Sequence, residues 1–140
     1  LQADLDPTTF QTIGAPALDG WRSEIERVFL DGAAEVLALE EVAGKNDPEK
    51  HQARLASISE NWDTIREVLA SVPTPARARE LLEEVHAPFA AAQVGIEPRL
   101  VHEALVYAKE IRARYTILQL LWDLNLLQDF ADRIVPDAVN

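Results

Sequence analysis

The sequence predicts an all-α fold, a multi-helix bundle of six to eight helices with no β-sheet, on three observations. Apolar residues recur at three- and four-residue steps through most of the chain, which is the spacing of one helix face. Asp-Pro and Thr-Pro pairs stand where those runs begin, and alternating β-branched runs and Asn-Gly hairpin turns are missing. With 140 residues, 48% of them hydrophobic, the chain is long enough for a real core. Chains of roughly 150 residues bury about two-thirds of their unfolded surface, so residues 1–140 are expected to form a single helical domain.

The elements follow in chain order. Asp6 before Pro7 caps a short helical turn in an otherwise undecided segment. From Asp19, Trp21, Ile25, Val28 and Phe29 share a face; Asp31-Gly32 interrupts; Ala33, Ala34, Leu37 and Val42 continue, and Gly44 closes the segment. Asp47-Pro48 opens a long helix, because the aspartate accepts orphan amide bonds and proline at the first helical position has no amide to leave unpaired. Its seam of Leu55, Ile58, Trp62, Ile65 and Leu69 is the cleanest amphipathic pattern in the chain. Pro73 and Pro75 end it, and Thr74-Pro75 starts a helix predicted to carry Ala78, Leu81, Leu82 and Val85 inward. Ala87-Pro88 stops that helix, and Pro98 opens the closing pair.

That pair, Leu100 to Val135, is the most apolar stretch, and the rest is expected to be arranged around it. Val101, Ala104, Leu105, Ala108 and Ile111 form one face of its first helix. Thr116 with Gln119 three residues on is a capping-box pattern, so the helix should break between Ala113 and Thr116. Beyond it Ile117, Leu118, Leu120, Leu121, Trp122 and Leu124 are apolar almost all round, and Asn125 offers a left-handed stop.

A net charge of −11 and a pI near 4.6 oppose nucleic-acid binding, which draws on Lys and Arg, and oppose anionic membrane surfaces. No apolar run approaches the roughly 20 residues that cross a bilayer, so no membrane insertion is expected. The absence of cysteine removes disulfides, thiolate chemistry and Cys-based metal sites, and fits a cytoplasmic protein. The chain opens on Leu1 and contains no methionine, which predicts a polypeptide continuing upstream.

His51, His86 and His102 lack the one-turn spacing of helical metal ligands and read as structural or surface residues. Glu40-Glu41 and Glu83-Glu84 read as solvated faces, since adjacent helical residues point about 100° apart. The five glycines are too scattered for a phosphate loop. Trp21, Trp62 and Trp122 lie on apolar faces and read as core. Arg112, Arg114 and Tyr115 are the substrate-binding candidates: two arginines beside a helix break would clamp a phosphate or carboxylate if both converge. The competing reading is local ion pairing, for instance Glu110 with Arg114 at i, i+4. The expectation is a structural clamp for one arginine and an interdomain position for the other.

The stretch EALVYAKEIRARYTILQLLWDLNLL resembles the C-terminal end of the bacterial glycerol-1-phosphate dehydrogenases, in the iron-containing alcohol dehydrogenase and dehydroquinate synthase-like superfamily. Arg112, Arg114, Tyr115, Thr116, Leu118, Leu120 and Leu121 fit an I-R-x-R-Y-T-x-L-x-L-L pattern, and Ala87-Pro88-Phe89 loosely matches the loop before it. Ile25 to Leu39 and the ENWDTIREVL helix are similar in outline to the family's helical portion. Ala113, Asn125 and His86 depart from the pattern. The resemblance implies the C-terminal helical domain of a two-domain enzyme whose N-terminal nucleotide-binding domain is a partner from the same polypeptide. NAD(P) and a divalent metal are implied for the intact enzyme, which reduces dihydroxyacetone phosphate to glycerol 1-phosphate in phospholipid metabolism. No catalytic, cofactor-binding or metal residue is carried over onto this chain, no cofactor is expected in it alone, and it is expected to be inactive alone. The alternative is a non-enzymatic helical interaction domain. On the enzyme reading the face that covers the partner domain is expected to stand open as an apolar patch, which homo-oligomer formation could hide; a monomer without such a patch would favour the interaction domain.

Overall fold

A computed structural model describes residues 5–138, and among them every regular element is helical. A 3-10 turn at Pro7–Thr12 leads to α1 (Trp21–Phe29), a second 3-10 turn at Leu30–Gly32, and α2 (Ala33–Ala43). Then come α3 (Pro48–Glu60), α4 (Trp62–Ala70), α5 (Pro75–Glu84), a 3-10 turn at Ala91–Val94, and α6 (Pro98–Tyr107), which tightens into 3-10 winding at Ala108–Ile111. α7 (Ile117–Asp123) and α8 (Leu127–Ala138) close the chain.

The start and stop residues act as their chemistry requires. The Asp6, Asp47 and Thr74 side chains accept the amides of Thr8, Lys50 and Arg77 at 2.9, 2.9 and 3.2 Å, each just ahead of a first-position proline. Gly44 ends α2 at φ 56, where a side chain is strained and a Cβ would in addition meet Lys50 Nζ at 2.7 Å. Asn125 takes the left-handed conformation after α7, at φ 55.

Two apolar cores result. Phe10, Leu55, Ile58, Trp62, Leu120 and Leu124 form the larger, with Phe10 edge-on to Trp62 at a centroid distance of 5.0 Å. Ile25, Ala33 and Val36 form the smaller, covered by Trp21, Phe29, Leu37 and Tyr107. The N-terminal turn lies on α3, α1 pairs with α2, and α6 pairs with α8, where Leu127 and Ala131 are buried.

Several local expectations need correction. The long helix after Asp47 bends at Asn61 (φ −108, ψ 16), whose Nδ2 donates to the Ser57 carbonyl at 2.8 Å beside its own backbone amide at 3.1 Å. The seam survives the bend, because Leu55, Ile58 and Trp62 share one core. In α5 no residue is buried: Leu81, Leu82 and Val85, expected inward, are 41, 37 and 70% exposed. The closing helix ends at Tyr107, earlier than expected, and 3-10 winding turns successive residues by about 120° instead of about 100°. That phase shift buries Lys109 and Glu110 and leaves Ile111 outside, while Ala104 already faces solvent. The backbone is non-helical from Arg112 to Thr116, so the predicted break exists, and the Thr116 hydroxyl accepts the Gln119 amide at 3.3 Å. Ile117, on the rim of an otherwise buried α7, is exposed.

Candidate functional site

The break between α6 and α7 folds back over the junction of α2 and α3, and two buried polar clusters meet there. The first is centred on Asp123 in the last turn of α7, which is fully buried. Arg54 of α3 donates Nε and Nη2 to its two carboxylate oxygens at 2.9 and 2.8 Å, a fork-to-fork pairing. The Tyr115 hydroxyl donates to the same carboxylate at 2.8 Å, and Gln119 Nε2 at 3.1 Å. His51 Nε2 donates to the Asp123 backbone carbonyl at 2.9 Å, and its ring stands edge-on to Trp122. Burial of the Tyr115 hydroxyl, then the Asp123 charge, holds that phenol well above its ordinary pKa, although the ring itself is half exposed.

The second cluster places two lysines on one glutamate. Lys45 Nζ donates to the carbonyls of Lys109 and Arg112 at 2.6 and 3.2 Å and reaches Glu110 at 3.4 Å. Lys109 pairs with the other Glu110 oxygen, which also accepts Trp21 Nε1 at 3.2 Å. The Lys109 ammonium lies 4.4 Å from the Trp122 ring centroid. Its burial lowers its pKa, opposed by the Glu110 charge. Glu40 belongs here too: one carboxylate oxygen accepts the Asn46 amide at 2.6 Å and the other is buried without a partner, so Glu40 is not the solvated residue its sequence context predicts.

Between the clusters, Lys45, Arg54, Arg114, Tyr115 and Gln119 line a cavity of about 180 Å³. Of the three candidates, Arg114 and Tyr115 face it, and Arg112 does not. Arg112 and Arg114 are exposed, and among the described residues neither guanidinium pairs with a carboxylate or a backbone carbonyl, so neither is the structural clamp expected. That place is taken by Arg54, while Glu110 is turned inward onto the lysines and away from Arg114. Arg112 contributes its backbone carbonyl to Lys45.

The histidines do not converge. His51 sits on α3 against Asp123, His102 contacts Asp132 and Gln128 at 2.9 and 3.0 Å, and His86 follows α5 at φ 55. Among the described residues no group of three or more His, Cys, Asp or Glu side chains is placed to hold a metal, and no strand forms a nucleotide-binding unit. The described residues therefore do not fit the divalent metal or the NAD(P) that the resemblance implies, and no chemical step is derived through either.

The sequence reading passed over Asp123, Arg54 and Lys45. A signal existed for the first: Asp123 is the lone charge in an apolar helix and lies four residues after Gln119, on the same face.

Comparison with known proteins finds relatives over part of the chain. The chain is 36% identical over 78 residues to a protein named glycerol-1-phosphate dehydrogenase (NAD(P)+) from Geobacillus stearothermophilus. It is similar to the glycerol-1-phosphate dehydrogenases. A second protein of that name, from Geobacillus thermodenitrificans (strain NG80-2), is 39% identical over 67 residues. These matches cover 55 and 47% of this chain but 19 and 17% of the two dehydrogenases, so the chain spans about a fifth of the length of the curated relatives it matches. No family model matches the chain, and no solved structure does.

Proposed function

We propose that these residues form the helical part of an NAD(P)- and metal-dependent oxidoreductase that reduces dihydroxyacetone phosphate to glycerol 1-phosphate. A nucleotide-binding domain supplies the cofactor from elsewhere in the same polypeptide. The observation that carries the reading is the 36% identity to a glycerol-1-phosphate dehydrogenase over 78 residues of a much longer protein. On this reading the chain alone binds neither cofactor nor metal productively, and the break between α6 and α7 lies toward the domain cleft. Arg114 and Tyr115 then serve on the substrate side, and Arg112 acts through its backbone.

The test pairs two proteins. The isolated chain, supplied with dihydroxyacetone phosphate, NAD(P)H and zinc or nickel, is expected to show no loss of nicotinamide absorbance above a blank. A chimera in which it replaces the matching segment of the Geobacillus stearothermophilus enzyme is expected to turn over. In that chimera Arg114→Ala should raise KM for the phosphate substrate, and Arg112→Ala should leave kinetics and stability near the parent. Turnover by the isolated chain defeats the reading. A chimera that is folded by circular dichroism yet inactive favours a helical interaction module, for which the open Leu81, Leu82 and Val85 stripe of α5 is the supporting observation.

A further inference from the structure

We propose that α5 is a dimerisation helix whose apolar stripe packs antiparallel against the same stripe of a second copy of this chain. The pairing goes beyond the dehydrogenase reading and does not depend on it.

The stripe is unpartnered and symmetric. α5 buries no residue, and among the described residues no other element packs extensively along it. Ala78, Leu81, Leu82 and Val85 follow the three- and four-residue steps of one helix face, and all four are exposed. Read from either end, they have the same spacing about a midpoint between Leu81 and Leu82. A two-fold axis through that midpoint sets Leu81 beside the second copy's Leu82 and Ala78 beside its Val85, the self-complementary contact that an isologous interface requires.

The charges of α5 run against its own dipole. The helix begins with Arg77 and Arg79 and ends with Glu83 and Glu84, with no acid in its first turn and no base in its last. A helix alone favours carboxylates at its N-terminus and cations at its C-terminus. The clearest departure is Arg77. Thr74 caps α5 by accepting the Arg77 amide at 3.2 Å, and an acidic side chain at that third position would complete a capping box. Arginine there gives up local stability, and positions that break the local rule are where function is expected.

An antiparallel pair answers each reversed charge. Arg77 and Glu84 lie two turns apart and about 20° out of phase, on one flank of the stripe; Arg79 and Glu83 lie one turn apart and about 40° out of phase, on the other. Two-fold pairing sets each flank against itself reversed end to end, so Arg77 meets the second copy's Glu84, and Arg79 its Glu83, near the carbonyl end of that helix. Parallel pairing would set arginine against arginine and glutamate against glutamate. Within the chain Arg77 reaches Glu80 and Glu84 at 3.0 and 3.6 Å in exposed pairs, which hold weakly and exchange readily. A net charge of −11 opposes indiscriminate association, so the partner must bring complementary charge to this stripe. One ten-residue helix from each copy makes a small interface, so the dimer is reversible, with Kd on the order of 0.1 to 1 mM.

The experiment is sedimentation equilibrium of the chain from about 10 µM to about 1 mM at neutral pH and about 0.15 M salt, where charges beyond about 8 Å are screened and contact pairs persist. A monomer–dimer equilibrium is expected. Arg77 is the position to change, since Arg79 also lies over the Phe89 ring at 4.8 Å. Arg77→Glu should weaken the dimer at least about tenfold, because the change enters twice across the two-fold axis, while helicity by circular dichroism is kept or raised by the completed capping box. Combining Arg77→Glu with Glu84→Arg should restore the parent constant to within about threefold. A chain that stays monomeric at about 1 mM overturns the proposal and leaves the stripe to a different partner. A dimer indifferent to Arg77→Glu, strengthened by it, or not restored by the double exchange overturns it as well. The dehydrogenase reading is judged by turnover of the chimera, so either can fail while the other stands.

Discussion

The Asp123 junction and the α4–α5 arm both carry helical patterns, yet one closes around a fully buried carboxylate and the other leaves apolar side chains exposed. At the junction, α3, α7 and the turn before α7 enclose a carboxylate with a guanidinium, a phenol and an amide. Along the arm, Val68, Val72, Leu81, Leu82 and Val85 remain 37 to 70% exposed. The contrast teaches that periodicity says which face of a helix seeks a partner, while the partner comes from the rest of the chain or from outside it.

The largest expected effect tests the junction itself. Asp123→Asn keeps the volume and removes the counter-charge, leaving the Arg54 guanidinium mostly buried and unpaired. Breaking a buried pair in this way costs about 3 to 5 kcal/mol, and the partial exposure of Arg54 places the expectation at the lower end. Urea unfolding with the parent m-value is the measurement, and a loss below about 1 kcal/mol would show that the cluster does not hold α3 to α7. Leu55→Ala in the adjoining core should follow at about 2 to 5 kcal/mol, because the fully buried side chain leaves a cavity between Phe10, Trp62 and Leu120.

Much of this division was legible in the sequence, and the limits have physical causes. Asp47-Pro48, Thr74-Pro75, Gly44, Thr116 and Asn125 act within one turn of themselves, so their roles follow from local chemistry and appear where expected. The bend at Asn61 is a change of backbone dihedrals at one residue, which leaves the hydrophobic period untouched and is therefore invisible to it. Lys45, Arg54 and Asp123 lie 9 to 69 residues apart in the contacts that bind them, beyond the reach of any helical spacing. The pairing of Glu110 with Arg114 failed as a reading for a related reason. The spacing rule assumes continuous α-helix, and the chain leaves that geometry after Tyr107.

A smaller effect separates hydrogen bonding from burial at the junction. Tyr115→Phe removes one bond to a charged acceptor and keeps the half-exposed ring, so about 1.5 kcal/mol is expected at neutral pH. The sign with pH follows from the raised phenol pKa. Folding favours the protonated form, so the contribution is complete below the ordinary value of 10.0 and is lost as pH rises through it toward the folded value. Lys109, with its lowered pKa, works oppositely: the cost of burying its charge is relieved as pH rises toward the ordinary 10.5. The difference in stability between parent and Tyr115→Phe should therefore shrink above pH 10, with the Lys109 contribution cancelling between them. A difference that stays constant to pH 11 would place the phenol outside the Asp123 network.

The smallest effect is the one that decides what the α5 arm is for. If its stripe is open in solution, Leu81→Ser removes an apolar side chain that is already 41% exposed and touches no core cluster. The change in unfolding free energy should then stay within about 0.5 kcal/mol, as for surface substitutions generally. The same substitution in a face covered by a second copy would uncover a cavity and a desolvated hydroxyl, at a cost of about 1.5 kcal/mol or more that grows with protein concentration. Urea unfolding at two concentrations about a hundredfold apart, with scattering to count chains, distinguishes the two cases. A concentration-independent loss near zero keeps the arm as an unpaired face, free to receive another domain. A loss that tracks dimer formation would mean that this region is buried after all, by a copy of itself, and the contrast with the Asp123 junction would become one of assembly instead of exposure.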